Sequence, residues 1–244
     1  MGTILQVNNL TKRFSGLTAV NDVSFEIERG SLVGLIGPNG AGKTTMFNLI
    51  SGFEKSNSGS IWFDGVNITK FNPYRRVKQG ITRTFQIVRP VRLLTCLDNV
   101  IVGCMSPRGK AWSQDIGVDQ LASSILASVG LIDRARIPPV ILPFGDLKKL
   151  EIARAIASNP ELLLLDEPFS GLSHEEQMII VELIKNLNDE GYTIIIAGHV
   201  LRELMALVPR VLVMHQGRLI ADGPPEDVAS IKTVVEAYLG VGDN

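Results

Sequence analysis

Apolar residues recur along this chain at two periods, and the places where one gives way to the other predict most of its elements. From Ile4 to Phe14 and from Val20 to Glu28, β-branched and aromatic residues recur between polar ones, which predicts two half-exposed antiparallel strands. Ser31 to Ile36 is a short apolar strand that runs straight into Gly37-Pro38-Asn39-Gly40-Ala41-Gly42-Lys43-Thr44-Thr45. Beyond that loop Met46, Phe47, Leu49 and Ile50 form a helical face that stops at Gly52. Ile61-Trp62-Phe63 and Val66-Asn67-Ile68 flank Asp64-Gly65, a strong short-range hairpin signal. Residues 90–157 carry several helical patterns and no good strand run, which predicts an inserted helical subdomain. Leu162 to Leu165 and Thr193 to Ala197 are apolar without alternation, the mark of parallel strands covered on both faces. Between them Ile180, Leu183, Ile184 and Leu187 form the core stripe of a crossover helix. Val211 to Met214, a turn at Gln216-Gly217 and Arg218 to Ala221 predict a closing hairpin, followed by a short helix that ends near Gly240.

Composition narrows the classes. A chain of 244 residues with 45% hydrophobic and 20% charged residues buries enough apolar surface to fold, as one large domain or as a core with an insertion. Its formal net charge of −1 gives no global basic field, so nucleic acid is not an expected partner. Cys96 and Cys104 lack metal or redox spacing and predict two reduced, partly buried thiols. Neither a membrane-length apolar run nor the layout of a signal peptide is visible, so the expectation is a cytosolic chain that meets a membrane only through a partner.

Chemistry concentrates in two segments. Gly37-x-x-x-x-Gly42-Lys43-Thr44 matches the phosphate-binding loop in its strand-to-helix setting. Its glycines let backbone N–H groups turn inward around phosphate oxygens, and the following helix adds the positive end of its dipole. Lys43 then reaches the terminal phosphates and Thr44 ligates Mg²⁺. Leu162-Leu163-Leu164-Leu165-Asp166-Glu167 ends a buried strand in two carboxylates, at the edge where open α/β sheets bind ligands. Asp166 is the natural outer partner of that Mg²⁺, and Glu167 faces the γ-phosphate side as the general base for water.

In order along the chain stand the phosphate loop, Gln86, Leu142-Pro143-Phe144-Gly145-Asp146, Leu165-Asp166-Glu167-Pro168, Ser170-Gly171-Leu172-Ser173 and His199. This series resembles the nucleotide-binding subunit of ATP-binding-cassette (ABC) transporters over essentially the whole chain. The Leu-Pro-aromatic-Gly signature, the run Leu150-Glu151-Ile152-Ala153-Arg154-Ala155 and the ending Ala237-Tyr238-Leu239-Gly240 are most similar to ATPase subunits of bacterial branched-chain amino-acid importers. The resemblance implies an α/β fold of the P-loop NTPase (RecA-like) kind, with a largely parallel sheet, an antiparallel β subdomain and an inserted α-helical subdomain. It implies one ABC ATPase domain, with residues 1–89 and 158–244 as core and β subdomain and 90–157 as the helical subdomain with the signature. It also implies that Phe14 stacks on adenine, that Gln86 touches Mg²⁺ and the attacking water, and that His199 contacts the γ-phosphate. Residues 143–146 are then the signature offered to the ATP of a second ATPase subunit in a head-to-tail pair. The remaining implied partners are integral membrane permease subunits and, indirectly, an extracytoplasmic solute-binding protein, with the chain peripheral on the inner face of the cell membrane.

Several positions depart from the family pattern. Pro143 and Phe144 stand where the signature commonly has Ser and Gly, and Pro143 has neither hydroxyl nor N–H to donate. Asp146 replaces the usual Gln, Gly198 and Val200 replace acidic neighbours of the histidine, and Ser173 replaces an Asp, although Ser173-His174-Glu175-Glu176 reads as a helix capping box. Lys148, Lys149 and Arg154, on the helix after the signature, read as a solvated face. The departures keep open a partly degenerate nucleotide-binding partner in an asymmetric pair, and urea, amide or lipid transport remains an alternative to amino acids. An ABC ATPase acting on DNA or ribosomes is disfavoured, because 244 residues hold neither a second cassette nor a long coiled coil. A small-molecule kinase leaves the signature unexplained.

Overall fold

Alternation in the first thirty residues builds a hairpin of β1 (Thr3–Phe14) and β2 (Leu17–Glu28), paired antiparallel. The computed structural model of the protein describes residues 2–198 and 201–239, so His199, Val200 and Gly240 lie outside the described residues. β3 (Leu32–Ile36) is wholly buried and feeds the glycine loop and α1 (Lys43–Ser51). Gly52, at φ 81°, ends that helix by donating its N–H to the Leu49 carbonyl. β4 (Ser58–Phe63) and β5 (Val66–Asn67) pair across Asp64 and Gly65, whose φ angles of 47° and 75° are the left-handed values a two-residue hairpin turn needs.

The chain then adds α2 (Pro73–Gln79) and β6 (Ile81–Arg83). Four helices follow: α3 (Cys96–Cys104), α4 (Pro107–Trp112), α5 (Val118–Ser128) and α6 (Phe144–Ile156). β7 (Leu162–Asp166), α7 (His174–Asp189), β8 (Thr193–Ala197) and α8 (Leu201–Leu207) return it to the sheet. The hairpin of β9 (Arg210–His215) and β10 (Arg218–Gly223), then α9 (Pro225–Ala229) and α10 (Lys232–Leu239), complete the described chain.

Two sheets result. One has four strands in the order β2-β1-β4-β5; the other has six, β10-β9-β3-β8-β7-β6, parallel except for β10. The six-stranded sheet is covered on both faces, which explains its unbroken apolar runs. Leu163, Leu165, Ile194 and Ile196 join a core with α3, α5, α6 and α7, while Leu162, Leu164 and Ile195 join one with α1 and the four-stranded sheet. Gly34 in β3 makes room for α8, since a Cβ there would lie 2.5 Å from the Leu204 side chain. On α7, Ile180, Leu183, Ile184 and Leu187 are all buried, as their spacing predicts.

Three sequence expectations change. Cys96 and Cys104 are free but fully buried, and burial pushes the Cys104 thiol up to about 11. α2 and β6 carried no periodic signal; β6 is three residues long, too short for alternation to show. Lys148, Lys149 and Arg154 do not form a solvated face. Lys148 is only 3% exposed, and all three are held by polar partners on the protein, because α6 lies against the sheet edge and the segment after β6.

Candidate functional site

The glycine loop sits at the carboxyl ends of the parallel strands, the edge where such sheets bind ligands. Two glycines are dictated by close approach: a Cβ at Gly37 would fall 2.1 Å from the Met214 carbonyl oxygen, and one at Gly42 2.4 Å from that of Ala19. Their φ angles of 152° and 105° are also values that side chains disfavour. The loop opens onto a cleft of about 670 Å³ that the hairpin of β1 and β2 closes on one side and Gln86 and Glu167 on the other. The N-terminus of α1 opens into this cleft with Thr44 and Thr45 on its wall, so its dipole favours an anion there.

Lys43 is 8% exposed, and its Nζ donates to the carbonyls of Gly37 (2.6 Å) and Pro38 (3.0 Å). Burial lowers its pKa, while the nearby Glu167 and Asp166 carboxylates favour the charged form. An anion entering the loop therefore finds a lysine whose charge is incompletely compensated. Phe14 is 40% exposed on the cleft wall, with the Lys12 ammonium 4.6 Å from its ring centre, so it is not a packed core side chain.

β7 ends at Asp166, and the residue that follows it, Glu167, supplies the second carboxylate. Asp166 is buried; its Oδ2 accepts from Arg83 Nη2 at 2.9 Å, and its N–H donates to Thr84 Oγ1. Burial pushes its carboxyl up and the Arg83 charge pulls it back. Arg83 also donates to Asn48 Oδ1 on α1 at 2.6 Å, with its guanidinium 4.7 Å from the Phe85 ring centre. Arg83 thus ties the phosphate helix to Asp166, a link that sequence reading missed because the partners are 35 and 83 positions away. Glu167, at φ 50°, sits in the left-handed region and turns the chain sharply off the strand. Its N–H donates to the Ala197 carbonyl at 2.8 Å, and its Oε2 accepts from Gln86 Nε2 at 3.1 Å.

Structure therefore brings Phe14, the loop from Asn39 to Thr45, Gln86 and Glu167 onto one cleft, with Asp166 set behind them in the grip of Arg83. The donor set suits Mg²⁺: a Thr44 hydroxyl, the Gln86 amide and a buried carboxylate whose charge one guanidinium only partly offsets are hard oxygen ligands. Pro143, Phe144, Gly145 and Asp146 do not line this cleft. Pro143 caps α6 without a side-chain bond, Phe144 is exposed, and Asp146 pairs with Lys149 at 3.2 Å. A Cβ on Gly145 would lie 2.7 Å from Glu176 Oε1, so the start of α7 presses on the start of α6. The capping box at that point forms: Ser173 Oγ accepts from the Glu176 N–H, and Glu176 Oε2 from the Ser173 N–H.

Comparison with known proteins agrees with this geometry. The ABC transporter family model matches residues 20–170, and the model described as branched-chain amino acid ATP-binding cassette transporter matches residues 218–244. The high-affinity branched-chain amino acid transport ATP-binding protein LivG of Salmonella typhimurium (strain LT2) is 37% identical, covering 97% of this chain and 98% of its own. Among solved structures, a nucleotide-free ATP-binding cassette from an ABC transporter superposes with a TM-score of 0.88 at 29% identity, covering 99% of this chain and 100% of that one. The ADP conformation of an ATP-binding cassette of an ABC transporter gives 0.87 at 31% identity, covering 98% and 100%.

Proposed function

This chain belongs to the ABC transporter family, and from that premise we propose that it is the ATP-hydrolysing motor subunit of an importer for branched-chain or other hydrophobic amino acids. The observation that carries this reading is one cleft, lined by Asn39 to Thr45 of the phosphate loop and by Glu167 hydrogen-bonded to Gln86. In it Phe14 stacks on adenine, while Lys43 and the N–H groups from Asn39 to Thr45 hold the phosphates. Thr44, Asp166 and Gln86 would hold Mg²⁺, which would supply positive charge against the phosphates of the nucleotide. Glu167 takes a proton from water as its oxygen attacks the γ-phosphorus, the bond from that phosphorus to the bridging oxygen breaks, and ADP and phosphate leave. A base in that role contributes about 10²–10⁴ in rate.

Residues 143–146 serve the nucleotide of a second ATPase subunit, a copy of this chain or a relative, bound head to tail. Their absence from the chain's own cleft supports that division. His199 is assigned to the γ-phosphate on the family resemblance alone. A groove of about 560 Å³ beside Gln86, with Ile87, Pro90, Val140 and Leu147 on its walls, receives the permease and passes closure of the pair to it. No helix among the described residues is long and apolar enough to cross a membrane. The permease thus holds the chain at the inner face of the membrane, and a solute-binding protein outside delivers the amino acid. Pro143 favours a second reading, a pair with one weaker site, since it offers no donor to the opposite γ-phosphate.

Purifying tagged Glu167→Gln chain with ATP from detergent-solubilised membranes tests the transport reading. It predicts co-purification of permease chains, and of a different ATPase if the pair is asymmetric. Recovery only from the soluble fraction, with ribosomal or DNA-bound proteins, would overturn it.

A further inference from the structure

The buried polar face of α6 is not explained by nucleotide chemistry alone. Lys148, Glu151 and Arg154, spaced three apart, all face the segment that follows β6. Lys148 Nζ donates to the Glu167 carbonyl at 3.2 Å and to the Gln86 carbonyl at 3.5 Å. Glu151 Oε1 accepts from the Phe85 N–H at 2.8 Å, and Arg154 Nη1 donates to the Arg89 carbonyl at 2.9 Å. One helix thus holds residues 85–89 at three points, and one of its side chains also reaches Glu167, the residue that follows β7.

We propose that Lys148 is a positioning residue for hydrolysis: its buried ammonium fixes the backbones of Gln86 and Glu167 together, and so sets how their side chains meet in the cleft. The inference rests on the reading of Glu167 as general base. The two side chains meet at 3.1 Å on the cleft side, while the two carbonyls converge on one cation behind them. Glu167 occupies a left-handed conformation that few residues adopt, and an anchored carbonyl helps hold it there. At 3% exposure the ammonium has little water to compete for its donors. Burial opposes its charge, and Glu151, Glu167 and Asp166 sustain it. The ammonium also lies 5.6 Å from the centre of the Phe144 ring, beside the segment offered to the second subunit.

Steady-state phosphate release by the full chain with Mg·ATP tests this. Lys148→Met keeps the volume and removes the donors; it should lower kcat by about ten- to a hundredfold, the scale of a small misplacement in an active site, with KM for ATP changed by less than about twofold. Lys148→Arg, which restores donors, should recover most of kcat. The double variant Lys148→Met with Glu151→Gln removes the buried charge left behind and keeps an acceptor for the Phe85 N–H. It should stay slow, and it carries the test if the single variant does not fold. A Lys148→Met chain with wild-type kcat, or a double variant that regains it, would overturn the proposal. Glu167→Gln, assayed in parallel, separates the two readings. If it retains turnover, the assignment of the base fails. If it is inactive while Lys148→Met is not, only the role of Lys148 fails.

Discussion

At the scale of single residues, two kinds of side chain share this site. Some declare themselves locally: Gly37, Gly42, Lys43 and Thr44 were readable because the spacing of a phosphate loop lies within eight positions, and close approaches to Met214 and Ala19 require those glycines. Others act across the fold. Lys148 reads from the sequence as a solvated charge and Arg83 carries no signal at all, since their partners Gln86 and Asp166 stand 62 and 83 positions away. No local pattern distinguishes a buried lysine from a solvated one on a helix as polar as α6, so that face was misread. Phe14 lies between the two cases, because a strand aromatic packs in a core or lines a surface with the same sequence signal. Its 40% exposure on the cleft wall favours a ligand contact. Phe14→Ala should weaken ATP binding by about 1–3 kcal/mol, the range found for base–aromatic stacking, measured by titration calorimetry. Unchanged affinity would show that the ring does not touch adenine.

At the scale of elements, legibility followed length and period. β7 and β8 read as doubly covered strands because Leu162 to Leu165 and Ile194 to Ala197 are apolar without alternation, and both prove wholly buried. α7 announced itself by its stripe and by Ser173, which stands where family members carry an acidic residue and forms a reciprocal capping box with Glu176. The three residues of β6 and the seven of α2 had too little length for a period to emerge. Ser173→Ala should cost about 0.5–2 kcal/mol of stability through the lost cap. At about 2–4 °C per kcal/mol for a chain of this size, calorimetry should read a fall of a few degrees in Tm. An unchanged Tm would mean that the cap contributes nothing, leaving Ser173 without a structural reason for its place.

At the scale of the whole molecule, the parallel sheet aligns the phosphate loop and the β7 carboxylates at one edge, while α6 carries the signature outside the chain's own cleft. On the proposed reading one chain holds half of two sites, and the binding of ATP by two chains completes both. Hydrolysis on this reading needs both a pair and Glu167. Phosphate release per chain, measured with Mg·ATP and no acceptor across a range of chain concentrations, tests it most directly. The rate per chain should rise with concentration until pairing saturates, and Glu167→Gln should lower the plateau by about 10²–10⁴. A rate per chain that is independent of concentration, or a plateau untouched by Glu167→Gln, would contradict the account.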